Sequence, residues 1–307
     1  MTYRSPARGY ALAISAAALW ALNGSLSIYL LDDGLEPAQM SALRSAGAAL
    51  ILLAVLAARS PALLRVRRDD VPRLAFLGIA GLALVQVAYF AAIERLGVGP
   101  GLTLEYLAPL LVLLWLRIFH GRRMQPSLYA ALALSIAGCF FVVRAYDARA
   151  LDTTGVVWGL VAALAFALYI TAAERAGHRY QPATILVWGF GFATLFWSLT
   201  RPWWTFPFDI VSTPRGAALA MSVVVVGTLV PFMLMVSALR HIPAPRAAIV
   251  ATLEPALGAA FEWLIHGREL AAVQIAGGFA VLAAVLWVQT QRPDLQQESV
   301  PALREAK

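Results

Sequence analysis

The chain has 307 residues, of which 61% are hydrophobic and 13% charged, and its formal net charge is +7. Soluble domains are about 45–50% apolar and about 25% charged, so this composition excludes an ordinary soluble enzyme and indicates an integral membrane protein. The positive charge would suit nucleic acid, but the positions of the basic residues indicate membrane orientation instead, and no nucleic-acid partner is predicted.

Ten apolar stretches follow one another along the chain, each about as long as a membrane-spanning helix. None alternates polar and apolar residues as a barrel strand does, so we expect helices. The predicted spans cover about 9–31, 37–58, 73–93, 98–119, 126–143, 155–173, 182–200, 216–239, 244–265 and 270–290. The first span follows Arg4 and Arg8 but is too long for the apolar region of a signal peptide, so we expect it to be retained.

Basic residues are unevenly divided between the two sides of the predicted spans. If the amino terminus is cytoplasmic, sixteen lie on the cytoplasmic side and six on the other. The six are Arg95, Arg144, Arg149, Arg201, Arg215 and Arg268. This bias follows the positive-inside rule, so we expect both termini in the cytoplasm. Nearly all basic residues are arginine, which hints at a GC-rich bacterial genome and hence at the bacterial inner membrane.

The first half of the chain is repeated in the second half at an offset of 146 residues. The matches include Gly9 with Gly155, Pro109 with Pro255, and His120-Gly121-Arg122 with His266-Gly267-Arg268. Each half holds five predicted spans. Because this number is odd, the second repeat crosses the membrane in the opposite orientation to the first. We therefore predict an all-α membrane protein of ten helices in two inverted five-helix repeats, residues 1–146 and 147–290, with a polar cytoplasmic tail at 291–307. Inverted repeats are typical of secondary transporters with alternating access.

Pro109 and Pro255 occupy equivalent positions in the fourth and ninth predicted spans. Proline removes a backbone donor, and the freed carbonyl is tolerated within a membrane only against protein or a water-filled cavity. A matched pair of interrupted helices is the best sequence indication of a transporter site. Two packing kinks without a binding role are the alternative.

Three charged side chains are predicted within the spans. Arg44 and Glu105 each lie about seven residues from the outer end of a span, so they share a depth. They form either a structural ion pair or the two groups that hold the charged ends of a zwitterionic substrate. Glu254 lies near mid-depth with no cation expected at its level, and desolvation favours its neutral acid, which suits proton uptake and release. A hydrogen bond to the broken backbone near Pro255 is the alternative for Glu254.

Uncharged side chains complete the predicted substrate site, Asn23 and Gln86 near mid-depth and four aromatic residues as cavity lining. They are Asn23, Gln86, Tyr89, Tyr106 and Tyr169, together with Trp20. Interhelical hydrogen bonding or simple packing is the alternative for each of them. The sequence has no phosphate loop, no HExxH or GxSxG motif and a single cysteine, Cys139. It therefore predicts no catalytic residue, no metal site and no cofactor.

The segments Leu104 to Pro109 (LEYLAP) and Thr252 to Leu257 (TLEPAL), with the His-Gly-Arg turns that follow them, resemble the EamA family of the drug/metabolite transporter superfamily. In that family each five-helix repeat carries a proline in its fourth helix and then a turn shaped like Gly-Glu-Arg-Leu. Gly267 to Leu270 keeps these residue types in altered order, and Gly121 to Met124 departs further. Members also tend to carry an arginine in the second helix, which Arg44 matches. The resemblance implies a ten-helix exporter of amino acids or other small metabolites, and LEYLAP looks most like the threonine/homoserine exporter branch.

The sequence therefore predicts a secondary-active transporter that exports an amino acid or a related small metabolite. Its site is expected near the midplane, lined by spans 1, 3, 4, 6, 8 and 9, and proton coupling is a further hypothesis. Import of a small metabolite, a sugar or a cofactor precursor on the same fold is the alternative. A lipid-modifying enzyme would need clustered His, Asp or Ser residues at one interface, and no such cluster is apparent.

Overall fold

The computed structural model describes residues 5–96, 98–121, 125–147, 152–266 and 270–290. These residues form helices joined by short connections, and no β-strand occurs among them. The predicted turns at Arg122 to Met124 and Gly267 to Glu269 and the predicted tail at 291–307 lie outside the described residues.

The first half begins with two long helices, α1 (Pro6–Asp32) and α2 (Pro37–Arg59). They are followed by α3 (Val71–Phe76), a π-helical segment (Leu77–Ala83) and α4 (Leu84–Leu96). Then come α5 (Val98–Glu105), α6 (Ala108–His120) and α7 (Pro126–Val142). Proline in the first turn begins α1, α2 and α7, where its missing N–H has no helical partner to lose.

The second half begins with α8 (Thr153–Gly177) and α9 (Pro182–Thr200), followed by the short α10 (Phe208–Ser212). Next are α11 (Pro214–Val224), a π-helical segment (Val225–Leu229) and α12 (Val230–Ala238). The chain continues with α13 (Ala244–Ala251), α14 (Leu253–His266) and α15 (Ala272–Thr290). The two π-helical segments end at residues 83 and 229, which are 146 positions apart.

Seven helices or helix runs in the described part of the chain are long and apolar enough to cross a membrane. They are Pro37–Arg59, Arg68–Leu96, Gly101–Ile118, Thr153–Gly177, Pro182–Thr200, Pro214–Ala238 and Ala272–Thr290. Large apolar side chains such as Leu199 (76% exposed) and Phe279 (67% exposed) lie on the outside of the bundle, where only lipid would cover them. The protein is thus an all-helical membrane protein with several spans, and the count of ten stays a prediction.

Helices of one half pack against helices of the other. The most extensive contacts join α7 to α15, α4 to α8, α2 to α9 and α1 to α12. One close approach occurs twice at the offset of 146: Gly9 lies against His241 and Ile242, and Gly155 lies against Arg95 and Leu96. The contact surfaces of the two halves are therefore related position by position.

Candidate functional site

A cavity of about 70 Å³ lies inside the bundle, between helices of both halves. Its walls come from α1, α2, α4, α5, α8, α12 and α14. The lining residues are Trp20, Asn23, Ser27, Arg44, Val85, Gln86, Tyr89, Phe90, Glu105, Phe166, Phe232 and Glu254. Each of the six spans expected to line the site contributes at least one residue to the cavity wall. The helix α2 also contributes, through Arg44. Seven of the nine residues predicted for the substrate site, Trp20 among them, thus share one cavity.

Arg44 is buried, and residues of the other half hold its guanidinium in place. Its Nε donates to Thr228 Oγ1 at 2.7 Å, and its Nη2 donates to the carbonyl oxygen of Gly227 at 2.9 Å. Both acceptors belong to the π-helical segment Val225–Leu229, and such segments are frequent at functional sites. The guanidinium also lies 5.5 Å from the centre of the Phe90 ring. Arginine has five N–H donors, and these two bonds leave three for other groups.

The structural ion pair between Arg44 and Glu105, one of the two alternatives left open above, is not present among the described residues. The described contacts contain no salt bridge between these two residues. Arg44 donates its hydrogen bonds to Thr228 and Gly227 instead. Arg44 nevertheless lies within electrostatic range of both Glu105 and Glu254. Counting residues along a helix gives depth but not which faces meet. Packing instead places both acids around one arginine.

The two predicted prolines lie just after interruptions of their helices. α5 ends at Glu105 and α6 begins at Ala108, so Pro109 offers no N–H to the carbonyl of Glu105. The second interruption falls at Thr252, between α13 and α14, three residues before Pro255. α7 supports it: the hydroxyls of Ser135 and Thr252 share a hydrogen bond, and the Cys139 thiol donates to the Thr252 carbonyl at 3.5 Å. At this second interruption the Thr252 carbonyl is thus satisfied by protein, as a membrane interior requires.

Asn23 and Gln86 present unpaired acceptors at the cavity. Their amide nitrogens are used within their own helices, since Asn23 Nδ2 donates to Ser27 Oγ and Gln86 Nε2 donates to the Leu82 carbonyl. The oxygens Asn23 Oδ1 and Gln86 Oε1 are buried without a partner. An unpaired buried acceptor costs about 1–3 kcal/mol, so both oxygens suit donor groups of a bound solute.

Aromatic rings form the opposite wall of the cavity. Trp20 packs edge-on against Phe166 and Phe232, with ring centres 6.2 and 5.2 Å apart. Tyr169 lies behind these rings and does not line the cavity, and its buried hydroxyl has no partner. Tyr106 also lies outside the lining, but its hydroxyl is within hydrogen-bonding reach of Glu254. These two tyrosines therefore support the cavity without forming its surface.

Sequence reasoning did not select Phe166, Phe232 or Thr228. The repeat could have predicted the two phenylalanines, because at the offset of 146 they correspond to residues already chosen: Phe166 to Trp20 and Phe232 to Gln86. Applying the offset to each candidate would therefore have found both. Thr228 corresponds to Leu82, an apolar residue, so the repeat offered no signal for it.

An all-helical membrane bundle with charged and polar side chains in a cavity between its two halves is the architecture expected of a membrane solute transporter. The model of the EamA-like transporter family matches residues 7–144 and again residues 153–290. The chain belongs to this family, as its sequence resemblance indicated.

Known proteins of similar sequence are also transporters. The threonine/homoserine exporter RhtA of Salmonella typhimurium strain SL1344 is 28% identical over 254 residues, which cover 80% of this chain and 79% of that protein. The uncharacterized inner membrane transporter YicL of Salmonella typhimurium strain LT2 is 23% identical over 292 residues, 92% of this chain and 96% of that protein. A protein of known crystal structure shares the fold, with a TM-score of 0.74, 15% identity, and coverage of 91% of this chain and 95% of that chain.

Proposed function

We propose that this protein is a secondary-active exporter of amino acids or related small metabolites in a bacterial inner membrane. The observation that carries the proposal is the set of charges in the cavity, where Arg44 stands with Glu105 and Glu254. A zwitterion offers a carboxylate to the guanidinium and an ammonium to the carboxylates, in charge-assisted hydrogen bonds. The likeness to the threonine/homoserine exporter supports the substrate class, and the likeness to an inner membrane transporter supports the location.

The cavity suggests how such a solute would be oriented. Its carboxylate would accept from the remaining N–H groups of Arg44, and its ammonium would donate to Glu105 and to the unpaired oxygens of Asn23 and Gln86. Its side chain would then lie against the Trp20 wall. At about 70 Å³ the cavity is far smaller than the roughly 300–1,000 Å³ of sites for drug-sized ligands, which favours a small metabolite over a nucleotide sugar.

The two halves, 1–146 and 147–290, are proposed to be inverted repeats. Reciprocal contacts support this, since Gly81 lies against Tyr169 and Gly227 lies against Asn23, each partner displaced by 146 residues. When a surface contacts its own copy reciprocally, the two copies are related by a two-fold axis. With five spans in each half, that axis lies in the membrane plane, as alternating access between two faces requires.

A buried polar cluster closes the bundle at the face where α1 begins, which we name the amino-terminal face. Arg246 donates to the Tyr10 hydroxyl at 3.1 Å and to the Val288 carbonyl at 3.2 Å, and Tyr10 donates to the same carbonyl at 3.1 Å. These bonds join α1, α13 and α15. We propose that they break when the site opens to this face, which is the predicted cytoplasmic one.

Glu254 is the proposed site of proton coupling. It lines the cavity in the first turn of α14, within reach of Tyr106 and within electrostatic range of Arg44. A deprotonated Glu254 would attract the substrate ammonium, and a proton would remove that attraction. Proton and substrate would then compete for one group, so a proton entering from outside would release the substrate there.

Counterflow of labelled amino acids in proteoliposomes tests the proposed function, with threonine and homoserine as the first probes. The purified protein should exchange at least one amino acid and export it when a pH gradient is imposed. Glu254→Gln, which lacks the charge that attracts the ammonium, should exchange substrate with a raised KM and lose gradient-driven export. Glu94→Gln, an exposed glutamate of α4 outside the cavity, should leave both unchanged.

Two results would count against the proposal, and they can be told apart. A well-folded protein that exchanges no amino acid but takes up a sugar or a cofactor precursor would support the importer alternative. A Glu254→Gln variant with undiminished gradient-driven export would remove Glu254 from coupling and leave the substrate class standing.

A further inference from the structure

A second and larger cavity, of about 710 Å³, lies between α3, α6 and α8 at the amino-terminal face. Its volume falls within the roughly 300–1,000 Å³ typical of ligand sites. It shares no lining residue with the substrate cavity. We call it the basic groove, because Arg73, Arg175, His178 and Arg179 line it together with one acidic residue, Asp70.

The charges at the mouth of the groove are held in place by Asp70. Its nearly buried carboxylate accepts from Arg73 Nη1 at 2.9 Å, from Arg179 Nη1 at 3.1 Å and from the Tyr180 hydroxyl at 2.8 Å. The side chains of Arg73 and Arg179 are nevertheless 78% and 56% exposed. Each guanidinium is therefore fixed by one nitrogen while the remaining N–H groups lie at the surface. With Arg175 included, three arginines face one carboxylate, so the lining has an excess of positive charge.

The inner part of the groove is apolar. Phe76 and Trp115 line it and are 51% and 36% exposed, and Leu168 lies beneath them on α8. Leu168 precedes Arg175 by seven positions on that helix, which at 1.5 Å per residue places it about 10 Å deeper. The groove thus runs from a charged mouth at the end of the bundle into the depth of the hydrocarbon.

The basic residues that the second half contributes to the groove have no basic counterparts in the first half. At the offset of 146, Arg175, His178 and Arg179 correspond to Tyr29, Asp32 and Asp33. The corresponding position at the opposite face is therefore acidic, although the helices that form it are equivalent. The arginines follow the cytoplasmic bias described above, and at this place they line a cavity.

We propose that the basic groove binds an anionic phospholipid. The phosphate accepts hydrogen bonds from Arg73 and Arg179, and one acyl chain lies along Phe76 and Trp115. Arginine suits phosphate because its planar fork can form two parallel hydrogen bonds. The headgroup cation of a zwitterionic lipid is repelled by the same arginines, so such a lipid should bind more weakly. This site is independent of the substrate class proposed above.

Thermal unfolding of the purified protein in uncharged detergent tests the proposal. Phosphatidylglycerol should raise the unfolding midpoint at lower concentration than phosphatidylcholine of the same chain length, because a ligand that binds only the folded state stabilises it. Arg73→Gln/Arg179→Gln should weaken phosphatidylglycerol binding by about five-fold for each arginine removed. The control Arg59→Gln/Arg240→Gln removes equal charge from exposed residues outside the groove and should bind as the wild type does.

A second variant controls for misfolding, because loss of both arginines leaves the Asp70 carboxylate with the Tyr180 hydroxyl but without these two cations. Asp70→Asn keeps the arginines and removes the only acidic residue of the lining, so it should tighten binding of phosphatidylglycerol. The proposal is overturned if the wild type responds equally to the two lipids, if the control pair loses as much affinity as the groove pair, or if Asp70→Asn fails to tighten binding. Glycerol 3-phosphate that stabilises as well as the lipid would identify a soluble phosphate site instead.

Discussion

Arg44 lies in the first half of the chain, but both of its hydrogen bonds go to Gly227 and Thr228 in the second. These bonds aim the guanidinium at the cavity and leave its other N–H groups unused. Its side chain is 6% exposed, so it must be paired to remain charged. Lysine offers a compact ammonium rather than a planar fork and cannot hold this position and a substrate carboxylate together.

We therefore predict different outcomes for two substitutions of Arg44. Arg44→Lys should fold but raise the KM for an amino acid at least about ten-fold, since one good interaction is worth about 1.4 kcal/mol. Arg44→Ala should lower the free energy of unfolding by about 1–3 kcal/mol, because it leaves the buried acceptors of Thr228 and Gly227 without their donor. Counterflow kinetics and thermal unfolding measure the two effects. An unchanged KM for Arg44→Lys would show that Arg44 only supports the structure.

Asp152 illustrates a purely structural charge. It caps α8, accepting from the backbone N–H of Gly155 at 3.1 Å, and it pairs with Arg95 at 3.2 Å. The hydrogen bond from the Arg95 side chain, aided by the backbone bonds, holds the pKa of Asp152 below its ordinary value of 3.8. A carboxyl with a lowered pKa stabilises the folded state above its ordinary pKa. That contribution disappears as the pH falls through the lowered value.

Asp152→Ala should therefore lower the free energy of unfolding at neutral pH, because α8 loses its cap and Arg95 loses this partner. The difference from wild type should shrink once the pH lies well below 3.8. Asp152→Asn keeps an oxygen that can accept the backbone hydrogen bond, so it should lose less stability than Asp152→Ala at neutral pH. Denaturant unfolding at several pH values measures all three proteins. A difference that stays constant down to strongly acidic pH would contradict the assignment.

At the scale of elements, the irregular segments are the parts that build the cavity. The π-helical segment Val225–Leu229 supplies both acceptors of Arg44 and also brings Gly227 against Asn23. A Cβ at Gly227 would overlap the amide of Asn23. The absence of a side chain at this crossing therefore positions the unpaired oxygen of Asn23.

We predict that Gly227→Ala destabilises the protein by about 1–3 kcal/mol through overpacking. Adding Asn23→Ala should restore stability because it removes the overlapping amide, but it should not restore substrate affinity. Gly191→Ala is the matched control, since nothing lies within 4 Å of a Cβ at that position. Thermal unfolding and counterflow together separate packing from binding. Full affinity in the double variant would exclude Asn23 from the site.

At the scale of the whole molecule, equivalent positions of the two halves are expected at opposite faces. Gln125 and Ala271 are exposed at the starts of α7 and α15 and lie 146 residues apart. A cysteine placed at each should react with impermeant reagents from opposite sides of the membrane, Gln125→Cys from the cytoplasm. The background is Cys139→Ser, which keeps a donor for the Thr252 carbonyl. Labelling of both positions from one side would refute the inverted arrangement.

Local features of the sequence determined the elements of this protein. The length of each apolar run placed the helix ends within a few residues, as at 37–58 for Pro37–Arg59 and 244–265 for Ala244 to His266. Pro109 and Pro255 marked the interruptions, because a missing N–H acts on its own helix whatever packs beside it. The repeat and the charged residues within the spans were likewise visible without any structure.

Only the tertiary structure decided which side chains meet. Arg44 donates hydrogen bonds to Thr228 and Gly227 rather than to Glu105, and Glu254 lies within electrostatic range of its guanidinium. Tyr106 and Tyr169 lie behind the cavity surface rather than on it, and residues of α3, α6 and α8 together form the basic groove. The physical reason is that periodicity and span length record where a residue lies along its own helix. The face it presents, and the partner it finds, depend on contacts between segments more than a hundred residues apart.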